Sequence, residues 1–123
     1  MAFLRIVPNL TIMAPKDFKE LEDMLEFAVK LKKPVAIRYP RGGEDTEIKF
    51  EKHEKIKLGK SEKIQEGDDI TIVAIGKMVA KAMQLANKIK SENTEENKKS
   101  VEVINARFLK PLDDNTIDRK SVV

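Results

Sequence analysis

The chain has 123 residues, of which 41% are hydrophobic and 37% are charged, and its formal net charge is +3. This composition is typical of one small soluble globular domain, or of two half-domains, with a strongly charged surface. The two signs of charge alternate along the sequence and aromatic residues are few, so we expect no nucleic-acid partner. The absence of cysteine excludes disulfides and thiolate metal sites and fits a reducing cytoplasm. No apolar run approaches the roughly 18 residues that span a bilayer, so we expect no membrane partner.

The first part of the chain predicts a strand, a helix and a second strand. "NLTIMAP" (9–15) is a short apolar strand bounded by prolines. The helix lies in "DFKELEDMLEFAVKLKKP" (17–34), where Asp17 is the predicted cap and Glu20 completes a capping box. The predicted core face consists of Phe18, Leu21, Leu25 and Ala28, with Met24 and Val29 beside it. "VAIRY" (35–39) is apolar on successive residues, as expected of a strand covered on both faces.

The sequence changes character between residues 42 and 68, which are rich in Lys and Glu and show little periodicity. Short edge strands are possible at 48–50 and 56–58, but we interpret the segment mainly as a linker between domains. His53, the single histidine, has no partners at metal-ligand spacing and is predicted to be a solvated linker residue.

A second strand-helix-strand unit follows the linker. "DITIVAIG" predicts a strand, and "KMVAKAMQLANKIK" predicts a helix whose core face carries Val79, Ala82, Ala86 and Ile89. "VEVINARF" predicts the next strand, and its "NARF" places Asn105 and Arg107 at the strand end. Asp113 or Asp114 is expected to cap a third helix.

Together these elements predict an α/β fold with two strand-helix-strand units, residues 9–41 and 69–108, that are parts of three-layer parallel-sheet domains joined by a charged linker. Such a unit alone cannot cover both faces of its strands. Three solutions are open: the units pack on each other, copies of the chain pair, or the chain is a piece of a larger protein, which the sequence favours. Apolar faces left on the helices at Leu21, Leu25, Val79 and Ile89 lead us to expect self-association.

"IRYPRGG" (37–43) places two arginines, a tyrosine and two glycines at the end of an apolar strand. Ligands of open α/β sheets bind beyond the carboxyl ends of the strands. Arg38 and Arg41 offer guanidinium groups suited to phosphate or carboxylate, and Gly42 permits a tight turn. The alternative is that the arginines pair with nearby acids such as Glu44 or Asp45, and composition alone favours this alternative.

Four segments carry a resemblance to a known family: "PNLTIMAPKDFKELEDMLEFAV", "PVAIRYPRGG", "DITIVAIGKMVAKAMQLA" and "VEVINARFLKPLDDNTI". From Phe3 to Ile117 they resemble, in order, consecutive segments of 1-deoxy-D-xylulose-5-phosphate synthases, the thiamine-diphosphate-dependent relatives of transketolase. "RYPRG" together with "NARFxKPLD" is fairly specific for this family. The "PLD…TI" ending is also found in β subunits of 2-oxo-acid dehydrogenases.

The resemblance implies a domain assignment. Residues 1–43 correspond to the end of the pyrimidine-binding domain, 44–68 to a linker, and 69–123 to the first part of the transketolase C-terminal domain. The resemblance places "NARF" in the C-terminal domain, away from the chemistry, and so implies that Asn105 and Arg107 serve packing or a contact between domains. The family's "GDG" metal-and-diphosphate motif, its pyrimidine-activating glutamate and its active-site histidines have no counterpart. We therefore expect no catalytic residue or metal ligand in this chain, no binding of the cofactor by the chain alone, and no activity of the chain alone. The first two residues and "DRKSVV" are interpreted as the ends of a truncated piece.

The resemblance also implies a reaction for the parent enzyme. Pyruvate and glyceraldehyde 3-phosphate give 1-deoxy-D-xylulose 5-phosphate and CO2 for isoprenoid precursors, with thiamine diphosphate and magnesium, in an enzyme expected to form homo-oligomers. Arg41 then binds the phosphate of glyceraldehyde 3-phosphate, while Arg38, Tyr39 and Gly42 support the motif. Alternatives are a free-standing α/β module that binds an anion or a protein, or a fragment of a transketolase or a dehydrogenase β subunit. "RYPRG" favours the synthase.

Overall fold

The computed structural model describes residues 2–39, 42 and 48–121. Its elements are a 3-10 helix (Ala2–Ile6), strands β1 (Thr11–Met13), β2 (Val35–Ile37), β3 (Glu62–Gln65), β4 (Ile70–Ala74), β5 (Val101–Asn105) and β6 (Phe108–Lys110), and helices α1 (Phe18–Leu31), α2 (Met78–Ser91) and α3 (Asp114–Ser121). None of the helices in these ranges is long and apolar enough to cross a bilayer.

The strands form two three-stranded sheets, which we call sheet A (order β2-β1-β6) and sheet B (order β3-β5-β4). β1 and β2 are parallel, as are β4 and β5, which is the arrangement expected of two strand-helix-strand units. The third strand of each sheet is antiparallel: β6 pairs with β1, and β3 with β5. The predicted α/β class is confirmed, but each sheet is mixed rather than wholly parallel.

The segment that was interpreted as a linker contains β3, which the sequence analysis did not identify. The short edge strands considered possible at 48–50 and 56–58 are not formed. Ile56 is instead buried in the core under sheet A. β3 begins with Glu62, whose carboxylate is buried, so its apolar pattern is too weak to indicate a strand. The segment therefore contributes both a strand and a core residue.

Helix α1 begins where its capping residue predicts. The Asp17 carboxylate accepts a hydrogen bond from the backbone N–H of Glu20 at 2.8 Å, which confirms the cap. Glu20 reaches back to the N–H of Lys16 at 3.0 Å, one residue before the partner that a capping box would use. The helix ends at Lys32, which adopts a left-handed conformation with φ 55°.

The predicted core face of α1 is wrong in part: Ala28 and the flanking Met24 pack in the core of sheet A, but Phe18 and Leu25 do not. Met24 and Glu20 are the buried residues of this helix, whereas Phe18 is 57% and Leu25 53% exposed. The apolar residues of α1 surround more of the helix than one sheet can cover. The face that packs is chosen by the partners of Glu20 and Met24, which lie far away in sequence.

The core of sheet A includes a residue of β6, a strand near the C-terminal end of the sequence. Met13, Met24, Ile56 and Phe108 form its buried centre. The rings of Phe27 and Phe108 meet edge to face, with centroids 6.2 Å apart. Because β6 carries Phe108 into this core, the first unit is completed by the second.

Helix α2 packs on sheet B with the face that the sequence predicts. Val79, Ala82 and Ala86 are buried, and Ile89 packs against the same cluster. The expectation that Val79 and Ile89 would lack cover within the chain is therefore wrong. At α3, the Asp113 carboxylate accepts from the N–H of Thr116 at 3.3 Å, as a capping residue does.

Candidate functional site

The carboxyl ends of β1 and β2 lie at one edge of sheet A because these strands are parallel. The N–H of Arg38 donates to the carbonyl of Met13 at 2.9 Å, so the backbone after β2 is held against the end of β1. Arg38 and Tyr39 are exposed at this edge, and Gly42 has a φ of 96°, which favours glycine. Arg41 lies outside the described residues, as do Glu44 and Asp45.

A buried set of charged and polar side chains, which we call the junction network, lies beside this edge. Its members are Lys16, Glu20, Glu62, Asn105 and Arg107. None of them is more than 7% exposed, and they come from the β1–α1 turn, α1, β3, the end of β5 and the residue before β6. The network therefore joins both units and the segment between them.

Arg107 bridges the two carboxylates of the network. Its Nε lies 3.1 Å from Oε2 of Glu20, and its Nη2 lies 3.1 Å from Oε2 of Glu62. Nη2 also donates to the carbonyl of Glu54 at 2.7 Å, and Nη1 donates to the carbonyl of Lys55 at 3.2 Å. All three guanidinium nitrogens are thus engaged, in the planar geometry for which arginine is suited.

Lys16 and Asn105 complete the network. The Nζ of Lys16 lies 3.1 Å from Glu20 Oε2, contacts Glu62 Oε1, and stands 5.2 Å from the ring centre of Phe50. The amide of Asn105 donates to both oxygens of Glu20 at 3.0 Å and to Glu62 at 3.2 Å. Among the described residues, no buried side-chain nitrogen or oxygen lacks a partner. Two cations therefore balance two carboxylates away from water.

Glu62 is held in its ionised form. Burial by itself raises the pKa of a carboxyl, but hydrogen bonds from Lys16 and from the N–H of Glu54, with the charges of Lys16 and Arg107, outweigh burial and lower the pKa of Glu62 below 4.5. A carboxylate held as an anion by these partners is a structural ligand of the two cations and is poorly suited to donate protons at neutral pH.

The junction network also forms hydrogen bonds with the backbone of the turn between β1 and α1. Arg107 adopts a φ of 62°, and its carbonyl accepts from the N–H of Ala14 at 2.9 Å. The N–H of Lys16 donates to Glu20. Gly76, at the β4–α2 turn, lies so close that an added Cβ would stand 3.4 Å from the Cβ of Ala14. The turn is thus fixed by contacts from the second unit.

Sequence reasoning found part of this arrangement. The expectation that Asn105 and Arg107 serve packing or a contact between domains is confirmed by their bonds to Glu20. Lys16 and Glu62 were missed, because each looks like an ordinary surface charge. The one available signal was Lys16 itself, a lone lysine between Pro15 and the helix cap at the end of an apolar strand.

His53 is not the solvated residue that the sequence predicts. Its Nε2 lies 2.7 Å from Oδ2 of Asp17, and the two side chains are only 13% and 12% exposed. Asp17 caps α1 with its other oxygen. The same carboxylate therefore contacts both the helix and His53, which lies 36 residues later in the sequence. This contact fastens the residues before β3 to the N-terminus of α1.

Family models match both parts of the chain. The model described as "Transketolase, pyrimidine binding domain" matches residues 1–43, and that described as "Transketolase, C-terminal domain" matches residues 59–123. The second match takes in β3 to α3, including three of the five residues of the junction network.

Curated relatives carry one common name. The 1-deoxy-D-xylulose-5-phosphate synthase of Clostridium perfringens (strain ATCC 13124) is 47% identical over 98% of this chain, and that of Natranaerobius thermophilus is 44% identical over 95%. These alignments cover 19% and 18% of the two relatives, so the chain spans less than a fifth of their length. The family resemblance inferred from the motifs is confirmed.

Solved structures agree with this fold. A structure described as "Split gene transketolase, inactive beta4 tetramer" matches 98% of this chain and 38% of its own, with a TM-score of 0.82 and 28% identity. The transketolase of Pichia stipitis bound to sedoheptulose 7-phosphate matches 98% of this chain and 17% of its own, with a TM-score of 0.58 and 17% identity. The second likeness concerns the fold alone.

Proposed function

The chain belongs to the transketolase family, and we propose that it is part of a 1-deoxy-D-xylulose-5-phosphate synthase. The observation that carries the proposal is 47% identity to a synthase of that name over 98% of the chain, which includes the "RYPRG" motif. The whole enzyme would join pyruvate and glyceraldehyde 3-phosphate with loss of CO2. In that enzyme, residues 1–43 would end the pyrimidine-binding domain and residues 59–123 would begin the C-terminal domain.

We propose that Arg41 binds the phosphate of glyceraldehyde 3-phosphate. It follows β2 at the edge of sheet A where the ends of two parallel strands meet, the usual ligand edge of such sheets. Two described residues of the same motif have structural roles that support this assignment: the N–H of Arg38 donates to the carbonyl of Met13, and Gly42 adopts a left-handed conformation. A guanidinium binds a phosphate through two parallel hydrogen bonds.

The described residues do not fit the magnesium ion of the family's cofactor. Within the described ranges, no three His, Asp or Glu side chains are grouped so that they could hold a metal ion. The two buried carboxylates, Glu20 and Glu62, are already neutralised by Lys16 and Arg107. We assign this chain no step of the cofactor's chemistry and give it the role of binding and placing the phosphate-bearing substrate.

Assembly with further protein is also part of the proposal. Phe18, Leu25 and Val29 are 57%, 53% and 79% exposed and lie along one stripe of α1. An apolar stripe of this kind is typical of a helix that is covered in the complete protein. We propose that further parts of the synthase, or a second copy, cover it. Sedimentation of the chain at micromolar concentration, compared with the Val29→Lys variant, tests whether this stripe drives self-association.

The substrate assignment is tested by Arg41→Ala in the intact synthase. Loss of a hydrogen bond to a charged group should weaken the binding of the phosphate-bearing substrate, glyceraldehyde 3-phosphate, by about 1.5–3 kcal/mol. Pyruvate carries no phosphate, so its Michaelis constant should change much less. Arg38→Ala is the matched control, because it removes a neighbouring exposed arginine of the same motif. A loss that falls equally on both substrates would assign Arg41 to structure instead.

A further inference from the structure

Helix α2 carries a line of exposed side chains outside the face that packs on sheet B. This line, which we call the α2 row, consists of Met78, Lys81, Leu85, Lys88 and Glu92. Its members follow one another at steps of three and four residues, so they lie along one side of the helix. Met78 is 56% and Leu85 49% exposed. Residues 78–91 include no acidic residue, so the α2 row is apolar and basic until its last position.

Helix α1 carries a similar line with acidic residues in and beside it. This line, which we call the α1 row, consists of Phe18, Glu22, Leu25, Val29 and Lys32. It contains the exposed apolar stripe of α1, and Glu26 lies beside it. Glu22 stands 4.0 Å from Lys19 and Glu26 3.1 Å from Lys30, but exposed ion pairs of this kind contribute little and can exchange partners.

The two rows correspond position by position when the helices run parallel. Each helix has 14 residues. With the two central leucines opposite each other, paired positions differ by at most one residue along the axis, about 1.5 Å. Four of the five pairs then join apolar to apolar side chains or opposite charges. The pairs are Phe18 with Met78, Glu22 with Lys81, Leu25 with Leu85, Val29 with Lys88, and Lys32 with Glu92.

The remaining pair and the opposite direction agree with this register. The aliphatic stem of Lys88 can cover Val29 while its ammonium group reaches Glu26. In an antiparallel arrangement, Lys32 would instead face Met78, and a glutamate would face Phe18. Charges placed against apolar side chains lose hydration without gaining a partner. The parallel arrangement is therefore favoured.

The two rows do not cover each other within one chain, because every member of both is exposed. The α1 row of one copy is, however, free to meet the α2 row of another. Since each copy has both helices, a two-fold pair of chains makes this contact twice. The apolar pairs supply the buried area, and the opposite charges select the partner and fix the register.

We propose that the α2 row is a docking surface for the α1 row of a second copy of this chain, with the two helices parallel. The inference rests on the assembly proposed above and names the surface that covers the exposed stripe of α1. Contacts between short helices are small compared with the interfaces of permanent dimers, so the pair is weak and reversible.

Charge reversal tests the pairing of Glu22 with Lys81. Sedimentation equilibrium of the chain between about 1 and about 500 µM measures the dissociation constant. Lys81→Glu should raise this constant about tenfold, because Glu22 then faces a like charge, and Glu22→Lys should do the same. The variant with both changes should return to within about threefold of wild type. Lys98→Glu is the matched control, because it changes the net charge equally at an exposed position outside the row.

Disulfide trapping tests the direction of the helices. The chain has no cysteine, so bonds between copies form only at introduced positions, and they require Cα atoms about 4.4–6.8 Å apart. Under mild oxidation, a mixture of Phe18→Cys and Met78→Cys should give the mixed dimer, which mass spectrometry identifies. Phe18→Cys with Glu92→Cys should give it much more slowly. Faster bonding of the second mixture overturns the parallel arrangement.

Val29→Lys separates the present inference from the assembly on which it rests. All substituted positions are exposed, so these variants should keep the stability of wild type in thermal unfolding. If Val29→Lys weakens association but the charge reversals do not, the stripe of α1 is covered by another surface, and only the present inference is overturned. A chain that stays monomeric at every concentration overturns both this inference and assembly through a second copy. The substrate assignment is tested separately by Arg41→Ala.

Discussion

Arg107 and Glu62 form a buried ion pair in which Nη2 lies 3.1 Å from Oε2, and both side chains are 2% exposed. Glu62 is the first residue of β3, and Arg107 lies two residues after the end of β5. The pairing of β3 with β5 places Glu62 opposite Asn105 and so brings Glu62 close to Arg107. Charges removed from water are costly unless each has a partner, so this pair makes sense only as part of the complete junction network. The network then ties the stability of the first unit to that of the second.

Removing one carboxylate of the junction network should destabilise the fold, because it leaves buried positive charge without a partner. Glu62→Ala leaves Lys16 and Arg107 with Glu20 as their only acidic partner among the described residues, and we expect it to lower the free energy of unfolding by about 3–5 kcal/mol. Lys30→Ala breaks an exposed pair with Glu26 and should cost less than about 0.5 kcal/mol. Urea unfolding of both variants measures the contrast. Equal and small losses would mean that the buried pair adds nothing.

Acid should weaken the fold through Glu62. Its pKa is lowered in the folded state, because its hydrogen bonds and the charges of Lys16 and Arg107 outweigh its burial. Below the usual value of 4.5, the unfolded chain therefore binds more protons than the folded chain. The stabilisation from Glu62 is complete above that pH and is lost as pH falls through the lower folded pKa.

The pH prediction is checked with Glu62→Gln. Glutamine resembles the protonated carboxyl, so the variant should be less stable than wild type at neutral pH and should approach it in acid. Urea unfolding between about pH 3 and about pH 7 gives the two curves. Asp113, whose pKa is lowered because bonds from Ser61 and Thr116 outweigh burial, contributes to the slope of both proteins alike. Parallel curves would refute the role of Glu62.

The sequence predicted those elements whose apolar pattern is decided locally. On α2, Val79, Ala82 and Ala86 recur at helical spacing and are buried as expected, with Ala82 and Ala86 packed against sheet B. The pattern failed at α1 and β3, where Glu20 and Glu62 are buried. A glutamate is normally exposed, and nothing near it in sequence reveals a cation brought in from 46 or 87 residues away. Long-range charge pairing is invisible to periodicity.

The candidate site was predictable to a similar degree. The "RYPRG" motif identified the strand end, and the family resemblance gave a role to Arg41. The grip of Arg107 on the turn at Ala14 could not be foreseen, because a backbone hydrogen bond carries no sequence signature. His53 was predicted wrongly because its partner Asp17 lies 36 residues away in sequence.

Gly67 should be nearly irreplaceable. A Cβ at this position would stand 2.3 Å from the backbone carbon of Val101 and 2.6 Å from the backbone N of Glu102, which are too close for any rotamer to relieve. Gly67→Ala must push the β3–β4 connection away from β5, and we expect a loss of about 1–3 kcal/mol or more. Thermal unfolding is the measurement.

Gly42→Ala is the control for Gly67. Its φ is 96°, but no atom of the described residues lies within 4 Å of the added Cβ, so we expect a cost of about 1–3 kcal/mol from backbone strain. In Gly42→Ala that strain is confined to a turn outside both sheets, so the pairing of β3 with β5 should persist. Intact amide protection across that pair in Gly67→Ala too would contradict the predicted displacement.

Two neighbouring residues on α1 test which face of the helix the chain itself covers. Met24 is fully buried beside Phe108 and Ile56, whereas Leu25 is 53% exposed. In the isolated chain, Met24→Ala should cost about 2–5 kcal/mol, because it opens a cavity. Leu25→Ala should stay within about 0.5 kcal/mol, as substitutions at exposed positions usually do.

The same pair separates the chain from a complete enzyme. If further protein covers the stripe of Phe18, Leu25 and Val29, Leu25→Ala becomes a core substitution in the intact synthase and its cost there should rise to about 2 kcal/mol or more. Met24→Ala should cost a similar amount in both settings, because its partners all belong to this chain. Equal, small effects of Leu25→Ala in the isolated chain and in the intact enzyme would mean that the stripe remains exposed to water, and that this face of α1 takes no part in assembly.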